Sequence, residues 1–359
     1  MEDWPTSVLA ALAGGLGGAI LGLAARLGRF CTLSAIEDAL FSSDLRRLRM
    51  WGLALAVAIG SVGLLAASGQ IDFSTSLYNT LAPNPVAWIL GGLMFGIGMA
   101  FCGTCGYGTL ARVGGGDLRA LFGFLVLGIS AYMAIAGPTA HLRVFALAPF
   151  ALDDSYTLRT LTDVFGAGET VAIGLPFLTA ALLAAWSLSD RPFRGSFRHV
   201  FWGAMVGVAV VTGWIATAQL SGDAFDPRPL ASHTFSVPLG QTIIYFMTMS
   251  SATLTFGIGG TLGVVFGAFV GALIRREFRW EGADDAREMR RHIVGAFLMG
   301  TGGVYAGGCT IGQGVSAASV LAISAPVVML SIWCGAWLGL NYLMEGSIWR
   351  AIMALVSRD

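Results

Sequence analysis

Long stretches without a charged side chain constrain this chain more than any other feature. Ser7 to Ala25, Met50 to Ile71, Val86 to Ala111, Ala120 to Ala140, Thr170 to Ser189 and Val200 to Gly222 contain no Asp, Glu, Arg or Lys. Thr234 to Ile274 and Ile293 to Met344 are longer and equally uncharged. Crossing a hydrocarbon layer of about 30 Å takes about 20 helical residues, because backbone polar groups inside lipid must be paired within the protein. The stretches therefore predict an all-α integral membrane protein with about nine transmembrane helices, residues 293–344 holding two spans and a broken piece between them. A composition 55% hydrophobic and 12% charged fits this class and excludes an ordinary soluble domain.

Charge sets the expected orientation. The chain has no lysine, and with the spans placed as above 18 of its 21 basic residues, all arginines, fall on one side. Arg143, Arg159 and Arg228 fall on the other. The positive-inside rule then predicts an N-terminus outside and a C-terminus in the cytoplasm. The opening Met1-Glu2-Asp3-Trp4-Pro5 has no basic region or cleavage site, which makes the first stretch a retained span. A net charge of zero gives no reason to expect a nucleic acid partner; membrane lipid is the expected surrounding.

No linker or low-complexity tract divides the chain, so residues 1–359 are expected to form one transmembrane domain. Internal repeats cover about 1–140 and 200–359. The first span, with Gly14, Gly18 and Gly22, echoes the seventh, with Gly259, Gly263 and Gly267. The approach Phe95 to Gly108 echoes Gly300 to Gly312, each reaching Cys-x-x-Gly through glycines. Such glycines loosen a helix, and unwound backbone at membrane depth survives only where protein or a hydrated cavity receives it. Cys105 and Cys309 are accordingly expected at helix breaks facing a path; the alternative is that the glycines serve only close helix packing.

Five cysteines, an odd number set in or beside apolar segments, argue against a secreted disulfide framework. Three share a Cys-x-x-small form: Cys31-Thr32-Leu33-Ser34, Cys105-Gly106-Tyr107-Gly108 and Cys309-Thr310-Ile311-Gly312. Cys102 and Cys105 form Cys-x-x-Cys, which makes Cys102 a candidate redox partner. The four histidines are scattered near span ends, so no metal site is expected, and no cofactor. Without a Gly-x-x-x-x-Gly-Lys-Ser/Thr loop, ATP-driven transport is not expected either.

The phrases Gly28-Arg29-Phe30-Cys31, Cys105-Gly106-Tyr107-Gly108-Thr109-Leu110-Ala111-Arg112 and Gly307-Gly308-Cys309-Thr310-Ile311-Gly312-Gln313-Gly314 resemble the YeeE/YedE family of bacterial sulfur-compound transporters, in the same order across nearly the whole chain. That resemblance implies an hourglass-like protein of two related, inverted halves in a bacterial cytoplasmic (inner) membrane. It implies uptake of thiosulfate, or a close relative, past Cys31, Cys105 and Cys309, and a small cytoplasmic sulfur-carrier or sulfurtransferase protein as partner. Cys334 matches no part of the pattern.

The chemistry of the cargo is coherent with these residues. Thiosulfate has a soft terminal sulfur and three hard oxygens, and its dehydration in a membrane must be offset by donors. Neutral thiols offer weak S–H contacts to the sulfur, while N–H groups freed by Gly106, Gly108 and Gly312 can receive oxygens. Thr310 belongs to the same set, and the Gln313 amide is a further candidate donor. Several weak sites in series permit both entry and release. The alternatives are another sulfur or selenium cargo, a membrane thiol enzyme using the Cys102–Cys105 pair, and a sulfur-sensing role through the charged segment Arg275 to His292.

Overall fold

The computed structural model describes residues 5–152, 169–220, 230–282 and 285–346. Arg159, Arg228, Arg350 and Arg358, both termini, and parts of the polar segments after Leu142 and before His233 lie outside the described residues.

The chain is a helical bundle. Among the described residues, its main helices, single turns such as Leu77–Thr80 and Arg191–Arg194 aside, are α1 (Thr6–Leu27), α2 (Thr32–Glu37, continued by a wide turn over Asp38–Ser42), α3 (Arg46–Ala67), α4 (Pro85–Cys102), α5 (Gly106–Gly114), α6 (Leu118–Ala136), α7 (Pro138–Leu147), α8 (Glu169–Leu188), α9 (Phe197–Gln219), α10 (Val237–Thr248), α11 (Phe256–Ile274), α12 (Ala286–Tyr305), α13 (310–319, widened over Gly312–Ala317) and α14 (Ser324–Glu345). Among the described residues, strand-like pairing is limited to the isolated bridges Ser76–Leu230 and Asp117–Glu281.

Local chemistry explains the ends. Pro85 and Pro138 occupy first turns, where a missing N–H has no consequence. Asn84 accepts from the Ala87 N–H at 3.0 Å and Asp117 from Arg119 N–H at 2.9 Å, supplying partners for orphan donors. The stretch Ala120 to Ala140, expected as one span, is divided: α6 stops at Ala136, Gly137 is extended, and Pro138 starts α7. A residue before proline is pushed out of helical geometry, which places the break there.

Among the described residues, seven helical segments are long and apolar enough to cross a membrane: α1, α3, α4 with α5, α6, α9, α11 and α14. Helix α8, apolar over Ile173–Leu188, and α12, with Arg287, Glu288, Arg290 and Arg291 in its first turns, fall outside that test. Leu16, Leu64, Leu182, Phe266 and Leu330, all within helices, are more than 60% exposed. Those outward apolar side chains suit contact with hydrocarbon. This is an all-α membrane protein.

Small residues bring the helices together. A Cβ at Gly14, Gly18 or Gly22 of α1 would run into the carbonyls of Phe256, Gly260 and Val264, and one at Gly259, Gly263 or Gly267 of α11 into those of Ala11, Gly15 and Ala19. The matched steps of four show two parallel helices in backbone contact along a glycine seam. The likeness of the first and seventh spans thus has its cause in a shared interface. Helix α12 runs antiparallel to α4, with Gly98 opposite Gly295 and Gly91 opposite Gly302, while α14 runs parallel to α4.

The order of long and short helices repeats. Residues 6–136 give long, short, long, long, short, long in α1 to α6; α7 and α8 intervene, and 197–345 give the same order in α9 to α14.

Candidate functional site

Each of the three cysteines of the shared motif stands at a helix break built in one way. Two residues before the cysteine the backbone turns left-handed, at Arg29 (φ 57°), Gly103 (φ 67°) and Gly307 (φ 71°). Cys31 and Cys105 are then extended and stand at the N-cap of the short helix that follows, and Cys309 directly precedes its own. Carbonyl oxygens of Cys31, Cys105 and Cys309 accept from the N–H groups of Ala35 (3.1 Å), Thr109 (2.8 Å) and Gln313 (2.8 Å).

Geometry explains the glycine of Cys-x-x-Gly. The Gly108 N–H donates to Cys105 Sγ at 3.5 Å and the Gly312 N–H to Cys309 Sγ at 3.4 Å. A side chain at Gly108 would collide with Thr104 Oγ1, and one at Gly312 with Thr234 Oγ1. Cys309 Sγ also accepts from Phe235 N–H at 3.2 Å, so the segment before α10 reaches the same thiol. Cys309 Sγ thus receives two backbone N–H groups, one from its own short helix and one from the segment before α10. Gly106 lies against Phe235 O and Leu127, where a side chain has little room.

The thiols form a row. Cys105 and Cys309 are wholly buried, and Cys31 is partly open. Both Cys31 and Cys309 lie within electrostatic reach of the Cys105 thiol. Tyr107 neighbours Cys105 and Cys31, whereas Tyr78 neighbours Cys309, which puts Cys105 in the middle. The Thr310 hydroxyl faces the Cys105 thiol without reaching hydrogen-bond geometry, and is fully buried.

Other expected residues are placed differently. Both donors of the Gln313 amide are spent on the break itself, Nε2 reaching Ala306 O and Gly307 O at 3.1 Å, while its Oε1 accepts from Ser324 Oγ at 3.0 Å. In this structure Gln313 holds the turn before Cys309. Cys102 donates from Sγ to His292 O at 3.3 Å and meets Gly295 of α12, so its thiol is occupied outside the row. Cys334 is exposed on α14, and all five cysteines are free.

Sequence reasoning gave no role to Tyr78, Thr234 or Tyr107. Tyr107 sat within a quoted motif, and its hydroxyl donates to Leu21 O of α1. Tyr78 and Thr234 belong to connections whose pattern signals no function. The one available signal was the echo of Phe30-Cys31 in Phe235-Ser236.

Charge is confined to the ends. Among the described residues no Arg, Asp or Glu is buried. At one end Arg26 Nε donates to Ala111 O at 3.2 Å, Arg112 Nη2 to Gly103 O at 3.1 Å and Arg275 Nη1 to Arg26 O at 3.0 Å. Arg29, Arg46, Arg47 and Arg275 all act on Arg198. Cys31 opens toward this arginine-rich end, and Tyr78 lies at the opposite one. Arginines gathered at one end suit attraction of an anion there.

Comparison with known sequences decides the family. The profile of the sulphur transport family matches residues 27–338. The chain belongs to the sulphur transport family, the YeeE/YedE group. The family match begins at Leu27, ahead of Cys31, and continues into α14, so it contains every break described above. A thiosulfate transporter, TsuA, of Spirochaeta thermophila is 28% identical over 332 residues, covering 89% of this chain and 95% of its own. Another thiosulfate transporter TsuA, of Escherichia coli, is 26% identical over 355 residues, covering 91% and 94%. As a member of a transport family the chain is not an enzyme, which sets aside the thiol-enzyme alternative.

Proposed function

We propose that this protein takes up thiosulfate, or a closely related small sulfur anion, into the cytoplasm by successive contact with Cys309, Cys105 and Cys31. The carrying observation is the row itself: three thiols at like helix breaks, one beside the next, with no buried Arg, Asp or Glu among the described residues. The thiosulfate transporters that match most of the chain support this choice of cargo.

Physical chemistry supplies the steps. The anion's sulfur accepts an S–H donor from one thiol while its oxygens take N–H and O–H groups, with Gly106 and Thr310 as candidates; the N–H groups of Gly108 and Gly312 instead hold the thiol sulfurs. The next thiol then offers an equivalent site a short way on, so no single contact traps the ion. Arginines at the Cys31 mouth draw the anion toward the cytoplasm, which the positive-inside rule assigns to that end. The same rule places the start of α1 outside and the end of α14 inside, in a bacterial inner membrane with lipid around the exposed apolar side chains. Two halves of like element order, 6–136 and 197–345, with α4 and α12 antiparallel, fit an inverted repeat about the path. A small sulfur-carrier or sulfurtransferase protein is the partner proposed at the cytoplasmic mouth.

The test is uptake of radiolabelled thiosulfate by cells lacking their own uptake systems. Accumulation above the empty-vector level, competed by unlabelled thiosulfate, supports the reading; no accumulation with protein in the membrane overturns the cargo.

A further inference from the structure

The thiols account for the sulfur end of the cargo, which leaves the donors for its oxygens at the outermost thiol to be found. Cys309 Sγ is met by N–H groups of Gly312 and Phe235. Two hydroxyls from separate connections stand over the same point. Thr234 Oγ1 is 3.9 Å from Cys309 Sγ, and a Cβ at Gly312 would strike it. The same Cβ would lie 3.4 Å from Tyr78 Oη, and Tyr78 neighbours Cys309. At Gly312 a thiol and two hydroxyls therefore converge on one point.

Tyr78 is held there from several sides. Its ring meets Trp214 edge-on at 6.3 Å, and Trp214 Nε1 donates to Ser319 Oγ at 2.9 Å. Leu77 N–H donates to Leu230 O at 2.9 Å, tying the short helix Leu77–Thr80 to the segment that carries Thr234. Of the other hydroxyls nearby, Ser316 Oγ donates to His233 O at 2.7 Å and stands beside the Tyr78 hydroxyl as an acceptor, while Thr310 faces Cys105.

We propose that Tyr78, with Thr234, is the specificity-determining donor pair for the oxygen end of the anion at Cys309, on the face opposite the arginines. An anion that seats there presents its sulfur to the Cys309 S–H and its oxygens to Tyr78 Oη and Thr234 Oγ1. Sulfate offers oxygens but no soft sulfur, and hydrosulfide offers sulfur but no oxygens, so each satisfies half of the site. Leaving a donor or acceptor unmatched in a buried site is what separates close analogues. The inference rests on the transport reading above and assigns its outer recognition step.

The experiment uses Tyr78→Phe, which keeps the ring on Trp214 and removes only the hydroxyl, with Thr234→Val as the second variant and Tyr132→Phe on the exposed face of α6 as control. Uptake kinetics are measured in cells, and in purified protein the concentration of thiosulfate that halves the labelling of Cys309 by a small thiol reagent, with Cys31, Cys102 and Cys334 replaced by alanine and Cys105 read separately by peptide mass. Loss of one hydrogen bond to a charged group is expected to raise KM and the half-protecting concentration about tenfold or more, with the maximal rate retained at saturating thiosulfate. An unchanged KM and unchanged protection in both variants, with wild-type uptake intact, would overturn the inference and leave the transport reading standing. Failure of the wild type itself to take up thiosulfate would remove the reading, and this inference with it.

Discussion

The two halves of this protein share an order of helices and differ in what caps the short ones. In residues 6–136 both short helices begin on a cysteine, Cys31 at α2 and Cys105 at α5. In residues 197–345 one begins on Cys309 and the other on Ser236, whose hydroxyl is buried and without a partner. Phe30-Cys31 and Phe235-Ser236 occupy the corresponding places in the two halves. At the starts of its short helices the first half carries two thiols, and the second carries one thiol and one hydroxyl. A path that receives a hydrated oxyanion at one end and hands a sulfur along it needs hard donors first and soft donors after.

The largest expected effect comes from the central thiols. Cys105→Ala and Cys309→Ala each remove one member of the row and are expected to reduce uptake to background at matched expression. Uptake at wild-type rates in either would show that the buried caps serve packing alone. A graded result is expected at the mismatched caps: Cys31→Ser, which keeps a hydroxyl donor, should retain more uptake than Cys31→Ala, and Ser236→Cys should be tolerated with activity kept. Equal loss in Cys31→Ser and Cys31→Ala would break the comparison, because it would mean that oxygen cannot replace sulfur at that place.

The breaks themselves sharpen it further. Two use glycine for the left-handed turn and the third uses Arg29. Gly103→Ala and Gly307→Ala should destabilise by about 1–2 kcal/mol, the cost of a Cβ in left-handed backbone, seen as a lowered thermal midpoint in detergent. Arg29→Gly should move the midpoint the other way by about 1 kcal/mol or less, since the relief of strain is offset by the freer unfolded chain. A lowered midpoint for Arg29→Gly would mean that the arginine side chain holds the break.

The smallest effect belongs to a surface pair in the first half. Asp44 accepts from Arg46 at 2.7 Å, a bond that holds its carboxyl below the usual range. A depressed folded value means that the contribution is present at neutral pH and fades as pH falls through that lowered value. Asp44→Asn should cost about 0.5 kcal/mol or less at neutral pH, as expected of an exposed ion pair, and the difference from wild type should vanish in acid. The corresponding turn in the second half, Met249 to Thr255, carries no charge and should show no such pH dependence.

Much of this arrangement was legible in the residues. Uncharged length identified the membrane class because hydrocarbon imposes it, and the Cys-x-x-Gly form marked the breaks at Cys105 and Cys309 because the glycine three positions on brings its N–H to the sulfur. The end of α6 at Ala136 was missed because apolar length outweighed the Pro138 signal. The glycines shared by the first and seventh spans also record which backbones touch, since α1 and α11 pack on one another. Gln313 looked like a free amide on an apolar helix, yet its partners, Ala306, Gly307 and Ser324, come together only through the turn. Tyr78 could not be found at all, since it stands more than 200 residues before Cys309 and meets it only in three dimensions.

The most direct measurement is radiolabelled thiosulfate uptake by Cys105→Ala beside Cys334→Ala at matched membrane levels. Cys105 lies between the other two thiols, while Cys334 is exposed on α14 and outside the row. The account predicts background uptake for the first and wild-type uptake for the second; equal uptake by both would contradict it.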